Sequence, residues 1–556
     1  MTTWPGCLRA DLDAEPQSAT TLAAWFPALS AAYGDDEAIA GEGRHLTYRR
    51  LDVEARRWAA RLIALGVGKG ARIGLLLGNG PTWLSVFAAA TRLGAVAVPL
   101  STFFTPTELA YVVRHADLHG LVVHGSFLGR DQLAEVATAF PALTGGDGRV
   151  LHLDDAPFLR WIGVTEPVRR RPVWAVDLNA DDTTDGWDVL DAVSGDIHPT
   201  DPALMIYTSG STATPKGVPH THGAVMTKTH YLKAMFELEP GVRSYIASPF
   251  FWVGGLTMSL FPVLDAGGVQ LCTHRFDAGE VLELIERERP SRALLYPHHI
   301  TALLDHPAFT PTDRSSLRSA DPRLLAEGTP PPPLPTHGLG IGIGMTETFG
   351  GYWWGRPDPV SADAPLRPGE RRPPPLDELQ PGVELQVVDP HGHPVADGER
   401  GEICIRGACI TAGRHKEPRE AAFDRNGWFH TGDEGEVDGR RVRFRGRLDE
   451  TIKTAGANVA PAEVVAALRD VPGVAEAYVV GLPDETRGQV VAAAVVPAGG
   501  ATLDGAELRR ALRANLSAFK VPVHIVVLAA DDIPWTASHK VRRGALAELI
   551  TASFRS

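Results

Sequence analysis

Residues 208–217 read TSGSTATPKG. Thr208, Ser209, Ser211, Thr212 and Thr214 supply hydroxyls, Gly210 and Gly217 leave the backbone open, and Lys216 supplies one ammonium. Hydroxyls, unhindered N–H groups and a cation are what a polyphosphate needs around it. The spacing is not that of a Walker loop, because Gly210 and Lys216 stand six apart and Pro215 precedes the lysine. Two carboxylates, Glu347 in GMTE and Asp433 in TGD, and one ammonium, Lys540 in SHK, are further candidates. Each has a bland reading on its own: a helix-start carboxylate, a turn former and a surface lysine.

Such residues need elements to carry them. The apolar run 203–207 predicts a short buried strand that feeds the hydroxyl loop. Upstream, helical spacing over 51–65, 83–93 and 107–115 alternates with strand patterns over 72–77, 95–100 and 120–123. That rhythm predicts a largely parallel sheet covered on both faces. Residues 165–200 are polar and acidic and read as a surface loop. A second α/β set is expected from a helix over 222–236, a strand over 244–248, a helix over 277–288 and a strand over 291–296. The proline cluster 330–335 excludes helix. Short strands over 384–388, 401–406 and 442–445 predict a small β-rich, barrel-like subdomain. Arg441, Arg443, Arg445 and Arg447 would share one strand face there, read mainly as a solvated basic face. The tail reads as a compact α+β unit, with helices over 461–469, 504–516 and 543–551 and strands over 475–481, 490–496 and 523–528.

At 556 residues the chain is too long for one ordinary core. The acidic residues, 67 against 54 basic, argue against a nucleic-acid partner, which needs clustered cations. Four cysteines without CxxC spacing predict free thiols in a reducing cytosol, not a metal site. No leader pattern and no apolar run of membrane-spanning length is present, so a cytoplasmic protein is expected.

Six segments, in order, resemble the adenylate-forming superfamily of acyl-CoA synthetases, nonribosomal-peptide adenylation domains and luciferases. They are YTSGSTATPKG (207–217), SPFFWVGG (248–255), GMTE (344–347), GWFHTGD (427–433), GRLDETIKTAGANVAPAE (446–463) and IPWTASHKVRR (533–543). The resemblance implies an α/β N-terminal domain over 1–448, with two helix-covered sheet subdomains and a small β subdomain. A mobile α+β domain over 449–556 would follow. It implies that a carboxylic acid attacks the α-phosphate of ATP, giving acyl-AMP and pyrophosphate, and that CoA then takes the acyl group. Positioning and charge neutralisation would carry such a reaction.

By the same resemblance, Glu347 and Thr208 would hold Mg²⁺. Thr346 would reach the α-phosphate, and Ser209, Gly210, Ser211, Thr212, Thr214 and Lys216 would cradle the pyrophosphate. Asp433 and Arg447 would take the ribose, and Asp321, Ile343, Gly344 and Met345 would border the nucleotide. Lys540 would bridge acid and nucleotide, Asp449 would be the hinge, and Gly456 with Trp252 would line a thiol tunnel. Phe251, Trp252, Val253, Gly254, Gly340 and Gly342 would build the acid pocket, with the stretch 296–299 beside it. No aspartate stands in the aromatic segment to hold an amino group, which favours a plain hydrophobic acid. Ile343, Asp321 and Ala213 depart from the residues common in the superfamily. Two alternatives therefore stay open: loading of a carrier-protein phosphopantetheine, and a catalytically impaired acyl- or nucleotide-binding protein. Oligomeric state is open too, a homodimer among the options.

Overall fold

The computed structural model describes residues 7–9, 20–145, 150–179, 187–208, 215–326, 342–354, 378–438, 441–448, 451–498, 501–534 and 541–555. Seven strands form its largest sheet, in the order Ala175–Asp177, Trp161–Val164, Gly120–Val123, Arg72–Leu76, Val96–Pro99, Pro202–Thr208 and Lys216–Thr221. Neighbours run parallel except the last pair. The strands Val96–Pro99 and Gly120–Val123 are buried at every position, as a sheet covered on both faces requires.

A five-stranded sheet follows the order Arg292–Leu294, Arg243–Ile246, Val269–Leu271, Glu37–Gly41 and Arg44–Thr47. One apolar core joins the two sheets. Trp25, Trp83, Phe87, Phe250 and Phe261 lie in it beside Ile73 of the first sheet and Ile246 of the second. Trp83 stacks on Phe87 at 5.0 Å and 10° and meets Phe250 edge-on at 5.3 Å. Burying one such ring contributes on the order of 2–3 kcal/mol.

A third sheet, antiparallel, contains Val383–Val388, Arg400–Gly407, Phe429–Asp438 and Arg441–Arg447, with Cys7–Arg9 on its edge. A short ribbon of Gly342–Met345 and Gly350–Trp354 stands beside it, and Ile343, Tyr352 and Trp353 enter its core. The last hundred residues form a separate sheet around Gly488–Pro497 and Val474–Asp484, with apolar clusters on both faces. This is the α/β architecture expected, with a second α+β unit behind it.

Two local expectations fail, and one strand has no counterpart among them. Residues 165–200 are not all loop. Val176 lies in a strand that extends the large sheet, and Trp187–Gly195 is a helix whose Leu190 is fully buried. The helix expected over 504–516 ends at Leu512, and a 3-10 turn at Ala518–Lys520 follows it. The segment 429–438 is a full strand whose polar residues hid its alternation. The prolines 330–335 lie outside the described residues. Among those described, no helix is long and apolar enough to cross a membrane.

Candidate active site

The strand Pro202–Thr208 ends where the hydroxyl loop begins, and Lys216 opens the antiparallel strand that returns from it. Thr208 and Lys216 are direct cross-strand partners, so the two ends of the loop are held in register. Ser209, Gly210, Ser211, Thr212 and Thr214 lie outside the described residues, as do Gly340, Asp449 and Lys540.

A cleft of about 760 Å³ opens above this strand end. Thr208, Asp321, Gly342, Gly344, Met345 and Thr346 border it. Phe251, Trp252, Val253 and Gly254 border it too, together with Met258, Leu295, Ile300 and Trp354. Ten of these, with Gly456, Tyr296 and His298, are residues singled out from sequence, and the thirteen share one cavity. Ile343 faces the other way, into the core of the third sheet, because strand alternation points Gly342 and Gly344 at the cleft. Asp321 borders the cleft while accepting from Arg323 Nε at 2.9 Å and Nη2 at 3.1 Å.

The ribbon that carries Gly344, Thr346 and Glu347 is tight. A Cβ on Gly344 would lie 2.5 Å from the Gly350 carbonyl, so only glycine lets the two strands approach. Thr348 Oγ1 accepts from the Met345 amide at 3.1 Å and donates to the Gly350 carbonyl at 2.5 Å, which fixes the 3-10 turn Thr346–Thr348. Trp354 lies over two glycines, since a Cβ on Gly342 or Gly351 would strike its indole at 2.8 or 2.3 Å.

Asn79 holds the aromatic segment. Its Nδ2 donates to the Ser248 carbonyl at 3.0 Å and its Oδ1 accepts from the Phe250 amide at 2.7 Å. The helix then passes through a π turn at Leu256–Leu260, which brings Thr257 and Met258 to the cleft. Buried Arg292 donates to the Met258 carbonyl at 2.9 Å, and burial pushes its pKa down to about 9. Neither Asn79 nor Arg292 carries a local signal in the sequence.

The third wall comes from the C-terminal unit. Lys453, Ala455, Gly456, Ala457, Asn458 and Phe519 line the same cleft. Gly456 sits at φ +83°, and a Cβ there would meet the Tyr296 ring at 2.4 Å. Trp252 meets Phe519 edge-on at 6.2 Å, and Phe103 contacts both rings. Of the stretch 296–299, Tyr296 and His298 reach the cleft with their rings nearly parallel. His299 instead stacks on Phe276 at 4.1 Å, and burial pushes its pKa down to about 3.

Glu347 is buried beside the cleft, and Arg414 donates to its Oε1 from Nε at 2.9 Å and from Nη2 at 2.8 Å. Lys216 Nζ lies 3.3 Å from Glu417 Oε1. Asp433 is buried on the strand Phe429–Asp438, directly across from Arg447, and its amide donates to Thr431 Oγ1 at 3.0 Å. Half-exposed Arg443 pairs with buried Glu436 across the same two strands at 3.1 Å. A carboxylate and a hydroxyl, Glu347 and Thr208, are hard oxygen donors of the kind magnesium takes.

Residues 26–413 match the AMP-binding enzyme family, and residues 463–540 match the AMP-binding enzyme C-terminal domain. The chain belongs to the AMP-binding enzymes, the adenylate-forming superfamily that its motifs resemble. Indoleacetate–CoA ligase of Aromatoleum aromaticum is 30% identical over 550 residues, 95% of this chain and 98% of that protein. A feruloyl-CoA synthase of an Amycolatopsis species is 31% identical over 532 residues, 91% and 94% of the two chains. Among solved structures, the amide bond synthetase McbA of Marinactinospora thermotolerans aligns over 95% of this chain and 99% of its own, with a TM-score of 0.73 and 25% identity. These likenesses support acyl-CoA ligase activity through an adenylate.

Proposed function

We propose that this protein is an AMP-forming acid–thiol ligase. It activates a bulky hydrophobic carboxylic acid as acyl-AMP with release of pyrophosphate, then passes the acyl group to the thiol of CoA. The observation that carries this reading is the meeting of Thr208, Thr346, Trp252 and Gly456 in one cleft, with the last contributed by the C-terminal unit. Thr346 and Thr208 stand where hydroxyls can bond phosphate oxygens, and Lys216 with the loop 209–214 takes the β- and γ-phosphates. Asp433 and Arg447 take the ribose. Glu347 and Thr208 hold magnesium, which when bound supplies charge neutralisation at the phosphates. Lys540 bridges the acid carboxylate and the α-phosphate in the first half-reaction.

Movement about Asp449 then exchanges Lys540 for the loop around Gly456, so one cleft serves both half-reactions. Domains over 1–448 and 449–556 follow from that hinge. Trp252, Phe519 and Gly456 form the passage for the thiol arm. The acid lies among Phe251, Val253, Gly254, Gly342, Met258, Ile300 and Trp354. Among the described residues these seven are apolar or glycine, and the acidic residue of the cleft, Asp321, is engaged by Arg323. The relatives named for indoleacetate and ferulate support an acid with a bulky apolar body.

The test is a pyrophosphate-release screen over carboxylic acids with and without CoA. The expected result is release that needs the acid, with CoA raising turnover and yielding AMP and acyl-CoA. Release that CoA leaves unchanged, but a phosphopantetheinylated carrier protein accelerates, would redirect the second half-reaction. No acid-dependent release from any acid would remove the proposal.

A further inference from the structure

The two charged groups assigned to the metal and the phosphates are both paired, and by one segment. Residues 411–417 lie between them. Thr411 donates its amide to the Glu347 carbonyl and its hydroxyl to the Pro219 carbonyl, each at 2.8 Å. His415 donates its amide to the Gly217 carbonyl at 2.8 Å, and Lys416 pairs with Asp117 at 2.7 Å. The segment is therefore pinned to both the glutamate turn and the strand that leaves the phosphate loop. From it, Arg414 places two donors on one oxygen of Glu347, and Glu417 reaches toward Lys216. Arg414 Nη1 also lies 3.7 Å from Glu417, so the charges alternate along Glu347, Arg414, Glu417 and Lys216.

Magnesium–ATP brings the same pair of charges in the same order: a cation for Glu347 and an anion for Lys216. A guanidinium cannot keep the Glu347 oxygen once a divalent cation takes it, because like charges at that distance repel strongly. Its planar fork fits two phosphate oxygens, and its segment is already anchored to the strand Lys216–Thr221. We infer that Arg414 is a further ligand of the β- and γ-phosphates, parked on Glu347 until magnesium and nucleotide arrive. Glu417 shields Lys216 over the same interval and yields it to phosphate. The inference rests on the adenylation reading above.

Calorimetric titration of the full chain with magnesium pyrophosphate and, separately, with AMP tests it without turnover. Arg414→Ala should weaken pyrophosphate binding by about tenfold or more. AMP, which lacks the outer phosphates, should bind as to the wild type, and that also reports a folded site. Arg414→Lys should recover part of the loss, and Glu417→Gln should tighten pyrophosphate binding. In turnover, Arg414→Ala should raise KM for ATP more than it lowers kcat. Unchanged or tighter pyrophosphate binding by Arg414→Ala would overturn the inference, leaving Arg414 a competitor for Glu347 alone. A wild-type protein that binds neither ligand would instead remove the adenylation reading beneath it.

Discussion

Single residues in this cleft are constrained by what lies beside them. Gly456 has a left-handed backbone and faces the Tyr296 ring, so alanine there costs about 1 kcal/mol in backbone strain and also meets the ring. Gly456→Ala should lower CoA-dependent turnover by about tenfold while acid-dependent pyrophosphate exchange stays within about twofold. Single-turnover assays of each half-reaction would read this, and equal loss in both would detach Gly456 from the thiol step. His222 is constrained by burial. Its Nδ1 accepts from the Leu22 amide at 3.2 Å, and burial pushes its pKa down to about 4. Between its ordinary value near 6.5 and about 4, the unfolded chain binds a proton that the folded one refuses. Stability therefore falls as pH drops through that window, by up to roughly 3 kcal/mol from this group. His222→Asn should flatten that slope in denaturant titrations at several pH values, and an unchanged slope would assign the loss elsewhere.

Elements position these residues through contacts that local pattern does not announce. The aromatic segment is held by Asn79, which sits in the turn after Arg72–Leu76, 171 residues before Phe250. Asn79→Ala leaves a buried carbonyl and amide unpaired, at a cost of about 1–3 kcal/mol. It should raise KM for the acid more than KM for ATP, and the reverse ranking would show that the turn serves the nucleotide side. Sequence pattern made the central strands and helices legible, because Tyr48–Ala64 and Pro461–Arg469 repeat apolar residues at helical spacing and Val96–Pro99 is a short unbroken apolar run. It missed the strand Phe429–Asp438, whose HTGDEG stretch reads as a turn, and the helix Trp187–Gly195, which follows the acidic run 180–185. The motif residues Thr208, Thr346 and Gly456 were legible from type and order. Arg414, Glu417, Asn79 and Phe519 were not, because each acts through a partner distant in sequence.

At the scale of the whole molecule, the two units meet through a buried charge cluster. Lys520 Nζ lies 2.6 Å from Glu108 of the large domain and 2.7 Å from Glu463 of the C-terminal unit. Burial opposes its charge, but the two carboxylates outweigh that and hold its pKa above the ordinary lysine value. Ser517 adds a 2.8 Å bond to Glu108, whose side chain also closes the capping box of the helix Pro106–His115. These contacts belong to the orientation in which Gly456 faces Tyr296, so the proposed swing about Asp449 would break them. Glu108→Gln keeps the capping box but removes one charge. It should slow thioester formation by roughly tenfold and leave adenylate formation intact. Slowed adenylation with unchanged thioester formation would place this contact in the other half of the cycle.

In the proposed reaction an organic acid strikes the innermost phosphorus of ATP. Incubating the protein with ATP, CoA and an accepted acid whose carboxylate carries heavy oxygen tests it directly by mass spectrometry of the products. One labelled oxygen in AMP and none in pyrophosphate is the expected result. Label in inorganic phosphate, with ADP as the other product, would contradict it.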